Sequence, residues 1–111
     1  YVIPTIARND PAYSDQMYWR GRIWAPTNFL AYLAFRRMGA YDVCRDLAEK
    51  SASLILKEWR KYGHIHENYS GDDGWGCPNP RSDKFYHWGG LLTLIALIEA
   101  GYVEAPEGLL D

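Results

Sequence analysis

Phe29-Leu30-Ala31-Tyr32-Leu33-Ala34-Phe35 carries no polar group except one phenol. Wound as a helix, such a run turns apolar groups to every side, and a helix of that kind is buried all round. The flanks support helix. Pro26 stands where the first turn tolerates a missing N–H. Gly39 follows Met38 where a C′ residue is wanted, which predicts a helix over 27–38. A second run, Leu91-Leu92-Thr93-Leu94-Ile95-Ala96-Leu97-Ile98, is broken only by Thr93 and predicts another such helix from about Phe85 to Ala100, stopped by Gly101.

The helix predicted between them is different. Tyr41-Asp42 opens it, with Asp42 as N-cap, and it runs from Arg45 to Tyr62 before Gly63. Cys44, Leu47, Ala48, Ser51, Leu54, Ile55 and Trp59 recur at three- and four-residue spacings on one face. Arg45, Asp46, Glu49, Lys50, Lys57, Arg60 and Lys61 take the other. The order is buried, half-exposed, buried. A plain three-helix bundle would give each helix a polar stripe. In a double-ringed helical toroid the inner helices touch neighbours on all sides and the outer ones show one face to water. The expected fold class is therefore all-α: a toroid fragment with inner, outer and inner helices and long aromatic loops. Inner helices of a toroid run parallel, because an outer helix returns the chain between them. The segments preceding them, residues 18–24 and 67–88, would then line one mouth.

At 111 residues the chain is one small domain. Nearly half the residues are hydrophobic, which excludes disorder by composition. A net charge of -2 without a basic stripe argues against nucleic acid. The longest apolar run is far short of a membrane span, so no membrane partner is expected. Cys44 falls inside a helix and Cys77 in a loop, which predicts two free thiols and a reducing, cytoplasmic compartment. The start at Tyr1, with no Met and no signal-like segment, reads as a cut from something longer. Residues 1–24 are an irregular approach with a turn at Asn9-Asp10-Pro11. Residues 63–84 are a loop long enough to be functional, and residues 104–108 a frayed end.

The aromatic share, 15% with five Trp and nine Tyr, lies largely outside the helices and suits a binding surface. Glu67, beside Asn68 and Tyr69, has the chemistry of a general base acting on water; the plainer alternative is an exposed loop carboxylate. Trp19, Trp24, Trp75 and Trp88 offer faces for pyranose rings or for core packing, and their neighbours Gly21, Gly74, Gly76 and Gly89 point to close backbone approach. Arg20 and Arg22 suit sugar hydroxyls or a substrate carboxylate, or else ion pairs with Asp10, Asp15 or Asp83. His64, His66, Asp72, Asp73, Cys77 and His87 cluster in or near the long loop. No zinc or calcium spacing is present among them, so no metal is expected.

The runs Tyr18-Trp19-Arg20-Gly21-Arg22-Ile23-Trp24-Ala25-Pro26-Thr27-Asn28, Glu67-Asn68-Tyr69 and Phe85-Tyr86-His87-Trp88-Gly89 resemble the C-terminal part of glycoside hydrolase family 63. The similarity covers nearly all of residues 5–103 and is nearest to the mannosylglycerate hydrolase and glucosidase-like branch, with trehalases more distant. The resemblance implies an (α/α)6 barrel that cleaves α-glycosidic bonds with inversion, using an Asp acid and a Glu base and no cofactor. It implies that residues 1–111 are the C-terminal portion of one such catalytic domain. Glu67 matches the general base; Tyr18, Trp19, Arg20, Trp24, Tyr69, His87 and Trp88 match positions lining the sugar subsite. The acid of that family lies upstream of the matched part. Asp72, Asp73 and Asp83 do not match its motif, and two inner helices are too few for a barrel of six. Inversion also needs two carboxylates about 6.5–9.5 Å apart with a water between them. The expectation is half of a two-carboxylate site, inactive alone, with a carbohydrate as substrate and the rest of the barrel or another copy of the chain as partner. The rival is a non-catalytic helical carbohydrate-binding module.

Overall fold

The computed structural model describes residues 2–76, 81–106 and 108. Three α-helices carry the architecture: α1 (Ala25–Arg37), α2 (Tyr41–Tyr62) and α3 (Gly90–Glu99). Two short strands, β1 (Ile23–Trp24) and β2 (Asn68–Tyr69), and two 3-10 turns, Pro11–Asp15 and His87–Gly89, accompany them among the described residues. The chain is mostly helical, as expected.

α1 and α3 run in the same direction. At their leading ends the rings of Trp24 and Trp88 lie 6.2 Å apart. Towards their trailing ends Tyr32 donates its hydroxyl to Glu99 at 2.8 Å, and Arg36 pairs with the same carboxylate at 3.7 Å. α2 returns the chain and packs on both. Two parallel helices joined by a returning one are compatible with a fragment of a helical toroid. Tyr32, Leu33, Leu47, Leu54, Leu92 and Ile95 form the shared core. Each such side chain taken fully from water contributes about 1.5–3 kcal/mol.

Several boundaries and faces differ from expectation. α2 begins at Tyr41 with Ala40 as N-cap, so Asp42 is no cap; it lies in the first turn and pairs with Arg45. α3 is shorter than expected. Phe85 takes a left-handed backbone at φ 56°, which no helix contains, and the 3-10 turn follows before α3 starts. Trp59 is 51% exposed, and Glu58 takes its place on the dry face with no exposure. The angular reason is simple. Successive helical residues are about 100° apart, so Glu58 lies near the centre of the stripe set by Ser51, Leu54 and Ile55, and Trp59 falls outside it. The expectation that α1 and α3 are buried all round also fails within this chain. Leu30 is 63% exposed, and Ala34 and Leu97 are open to water, because α1 and α3 cover only the sides that face each other and α2. Cys44 is a buried free thiol, and Cys77 lies outside the described residues. No described helix is long and apolar enough to cross a membrane.

Candidate active site

The site is assembled by strand pairing between segments distant in sequence. β1 and β2 are antiparallel, with Ile23 opposite Tyr69 and Trp24 opposite Asn68. On the other flank of β2, His66 bridges to Lys84, Glu67 N–H donates to Asp83 O at 2.8 Å, and Phe85 N–H donates to Ile65 O at 2.8 Å. The backbone around Glu67 is thus held on both sides. Gly89 brings the 3-10 turn against it: a Cβ there would stand 2.7 Å from His66 O, closer than real side chains come.

Glu67 is 7% exposed. Tyr18 donates its hydroxyl to Oε1 at 3.2 Å, and Asn68 Nδ2 faces Oε2 at 3.4 Å. Burial first, and then the Glu67 charge, hold the Tyr18 phenol above its ordinary value, so it serves as a hydrogen-bond donor. Tyr18 reaches Glu67 from a left-handed backbone, φ 54°, a conformation that costs a bulky residue about 1–3 kcal/mol and recurs at working sites.

Asn68 is fully buried and fully used. Its Oδ1 accepts from Arg22 Nε, its Nδ2 donates to Arg81 O at 2.9 Å, and its backbone N–H donates to Ser82 Oγ at 3.2 Å. Ser82 Oγ in turn donates to Asn68 O at 2.6 Å. Arg22 is buried, also donating to Trp75 O at 3.5 Å; burial pulls its guanidinium below its ordinary value, against the opposing charge of Asp73. Arg22 therefore orients Asn68, the neighbour of Glu67.

An aromatic wall stands over this network. Trp19 and Trp24 are stacked at 3.7 Å and 12°, and Tyr18 meets Trp24 edge-on at 4.8 Å. Trp24 Nε1 donates to Tyr18 O at 2.9 Å, which pins the left-handed residue. Trp88 closes on Trp24 and on Tyr86, the latter at 5.0 Å. His87 stacks on Tyr86 at 4.9 Å and is exposed. An open depression of about 610 Å³ runs along Ser82, Asp83, Lys84, Phe85, Tyr86 and His87.

The residues expected at the site fall into two groups. Tyr18, Trp19, His87 and Trp88 have surface open to a ligand, and Glu67, buried, keeps only 7% of its surface exposed. Trp24 and Tyr69 have none. Trp24 lies beneath Trp19, and Tyr69 accepts His66 N–H at 2.9 Å on its hydroxyl, so both support the wall and the strand from behind. Burial pushes the Tyr69 phenol up. Arg20 is exposed and paired with Asp15 at 3.3 Å, one of the two alternatives left open by the sequence. Sequence reasoning missed Ser82 and Arg81, which hold Asn68, and Tyr86, which packs on Trp88. Ser82 and Arg81 carried no periodic or motif signal.

Residues 1–88 match the family of mannosylglycerate hydrolase MGH1-like glycoside hydrolase domains. The mannosyl-oligosaccharide glucosidase of Saccharomyces cerevisiae is 28% identical over an alignment of 109 residues, covering 86% of this chain and 13% of that relative. The chain thus spans only about an eighth of the length of the curated relative it matches. No solved structure matches it significantly.

Proposed function

The chain belongs to the MGH1-like glycoside hydrolase domain family, and from that membership we propose that it supplies the general base and part of the sugar subsite of an inverting α-glycosidase. The observation that carries this reading is the setting of Glu67: a buried carboxylate held by a phenol and an amide at the foot of a tryptophan wall. Tyr18 occupies Oε1 and fixes the carboxylate's rotamer. Oε2, with only the long contact to Asn68, is the oxygen that takes a proton from water. The water then attacks the anomeric carbon from the face opposite the leaving oxygen, and an acid on that opposite side protonates the leaving group.

In this reading the half-exposed Trp19 face stacks on the sugar ring, backed by Trp24. Trp88 and His87 bound the ring on the far side. Arg20 stands ready to exchange Asp15 for sugar hydroxyls, and Tyr69 holds the strand. The acid is supplied from outside these residues, so the chain alone is inactive. Its partner covers the open stripe of Leu30 and Ala34 on α1, either as the rest of a barrel or as a second copy. The bonds cleaved are α-glucosidic or α-mannosidic.

The test is Glu67→Gln in a protein that carries this domain whole and hydrolyses an α-glucoside or α-mannoside. The expected result is a fall in kcat of about 10²–10⁴ with KM little changed, as for loss of a general base. Proton NMR of the first-formed sugar from the unsubstituted protein should show the inverted anomer. Retained activity in the variant would end the assignment. Sugar binding with no turnover by any form of the protein would favour the non-catalytic binding module instead.

A further inference from the structure

Next to the candidate base, where the neighbouring His66 turns away from it, lies a second cluster that the glycosidase chemistry does not use. Glu58 on α2, His64 and His66 are all buried, and a donor atom from each falls within 4.8 Å of the others. His66 Nε2 stands 3.2 Å from Glu58 Oε1, with both side chains shut off from water. His66 Nδ1 is 3.0 Å from Ser82 O. A carbonyl only accepts, so Nδ1 carries the ring hydrogen, and in a neutral ring Nε2 presents a lone pair to a carboxylate oxygen. Two lone pairs at that distance repel unless positive charge lies between them. Protonating His66 is one way to supply it, and a bound cation is another.

His64 adds a second observation. Its Nδ1 is buried and has no hydrogen-bond partner among the described residues, an uncompensated loss of hydration if nothing occupies that direction. Aromatic neighbours fix the ring: Tyr62 stacks on it at 5.7 Å and Phe85 meets it edge-on at 5.8 Å. Gly76 lies flat against His66, where a Cβ would come within 2.3 Å of the ring, and its N–H points to Glu58 Oε2 at 3.4 Å. The His66 ring and the Glu58 carboxylate are therefore built into place.

We propose that Glu58, His64 and His66 supply three ligands of a site for a borderline divalent cation, zinc fitting best, with the fourth position left to water. Two imidazoles and one carboxylate are a zinc donor set. With metal–ligand bonds of about 2.0–2.2 Å, two ligands of a tetrahedral ion stand about 3.4 Å apart, close to the His66–Glu58 separation. The Nδ1 contact to Ser82 O is the outer-shell bond that fixes a metal-binding tautomer. Binding draws His64 inward and gives its orphaned nitrogen a partner. The ion then pins the C-terminal part of α2 to the segment that carries Glu67 and leads into β2.

The test uses the intact chain, stripped of metal and titrated with zinc chloride against a chromophoric chelator, and with cobalt chloride followed in visible absorption. Expected are about one zinc ion per chain, a cobalt spectrum of tetrahedral intensity and a higher Tm with zinc. Glu58→Gln and His64→Gln should each weaken zinc binding at least tenfold while far-UV circular dichroism stays native. If Glu58→Gln fails to fold, His64→Gln decides alone. No tight uptake by the native chain would overturn the proposal, leaving a shared proton between Glu58 and His66. Equal uptake by the native chain and a folded variant would overturn it too.

Discussion

Two buried glutamates, Glu58 on α2 and Glu67 just before β2, have surroundings that differ in kind. Glu67 faces donors only, a phenol and an amide, beneath rings open to a ligand. Glu58 faces a histidine whose other nitrogen is already committed to Ser82 O. His66 and Glu67 are neighbours in the segment just before β2, and their side chains diverge, His66 turning to Glu58 and Glu67 to Tyr18. The difference teaches what burial does not. Equal concealment serves a carboxylate aimed at a ligand on one side and an internal clamp on the other, and the neighbours decide which.

The sharpest break in this comparison is the pair of glutamine substitutions. Glu67→Gln should cost two to four orders of magnitude in kcat, about 10²–10⁴, with Tm nearly unchanged. Glu58→Gln should do the reverse, lowering stability by about 1–3 kcal/mol in chemical denaturation by leaving buried groups mispaired. Matching losses of activity in both variants would erase the distinction. Asn68→Ala should fall between, since Asn68 belongs to the active side yet is fully buried: about 1–3 kcal/mol of stability is lost and turnover falls with it. Tyr18→Phe removes one hydrogen bond to Glu67, and urea denaturation should register about 0.5–1.5 kcal/mol while kcat declines. Trp19→Ala is the mildest for the fold. Its ring is 44% exposed, so sugar affinity, read by calorimetry, should weaken by about 1 kcal/mol with little change in Tm.

The helices were legible because their faces were. α2 shows one dry stripe in the sequence, and its six positions from Cys44 to Ile55 are all buried. Glu58 obeyed the same period and was passed over because a charged residue rarely belongs to a dry face. Its spacing from Ser51, Leu54 and Ile55 was the available signal. α1 and α3 are legible as apolar helices, but this chain covers only part of their surface, so Leu30 and Leu97 stay exposed. The end of α3 is legible in Gly101, but its start is not, since Phe85 at positive φ follows from tertiary packing and no propensity favours it. Nor were β1 and β2, which at two residues each have no period to detect. Glu67 was legible through its motif, whereas the contact with Tyr18 spans 49 residues and exists only in the folded chain.

That span has a kinetic consequence. Trp24 pairs with Asn68, Arg22 with Asn68 and Tyr18 with Glu67, each across more than 40 residues, whereas the hydrogen bonds that wind each helix are local. Loops of this length are entropically costly to close before their contacts reward it, so the pocket is expected to be the last part of the molecule to organise during refolding. Helical circular dichroism should recover before the tryptophan fluorescence of the stacked Trp19 and Trp24 pair. A chain can then regain nearly all its helix and still lack the place where a sugar would sit.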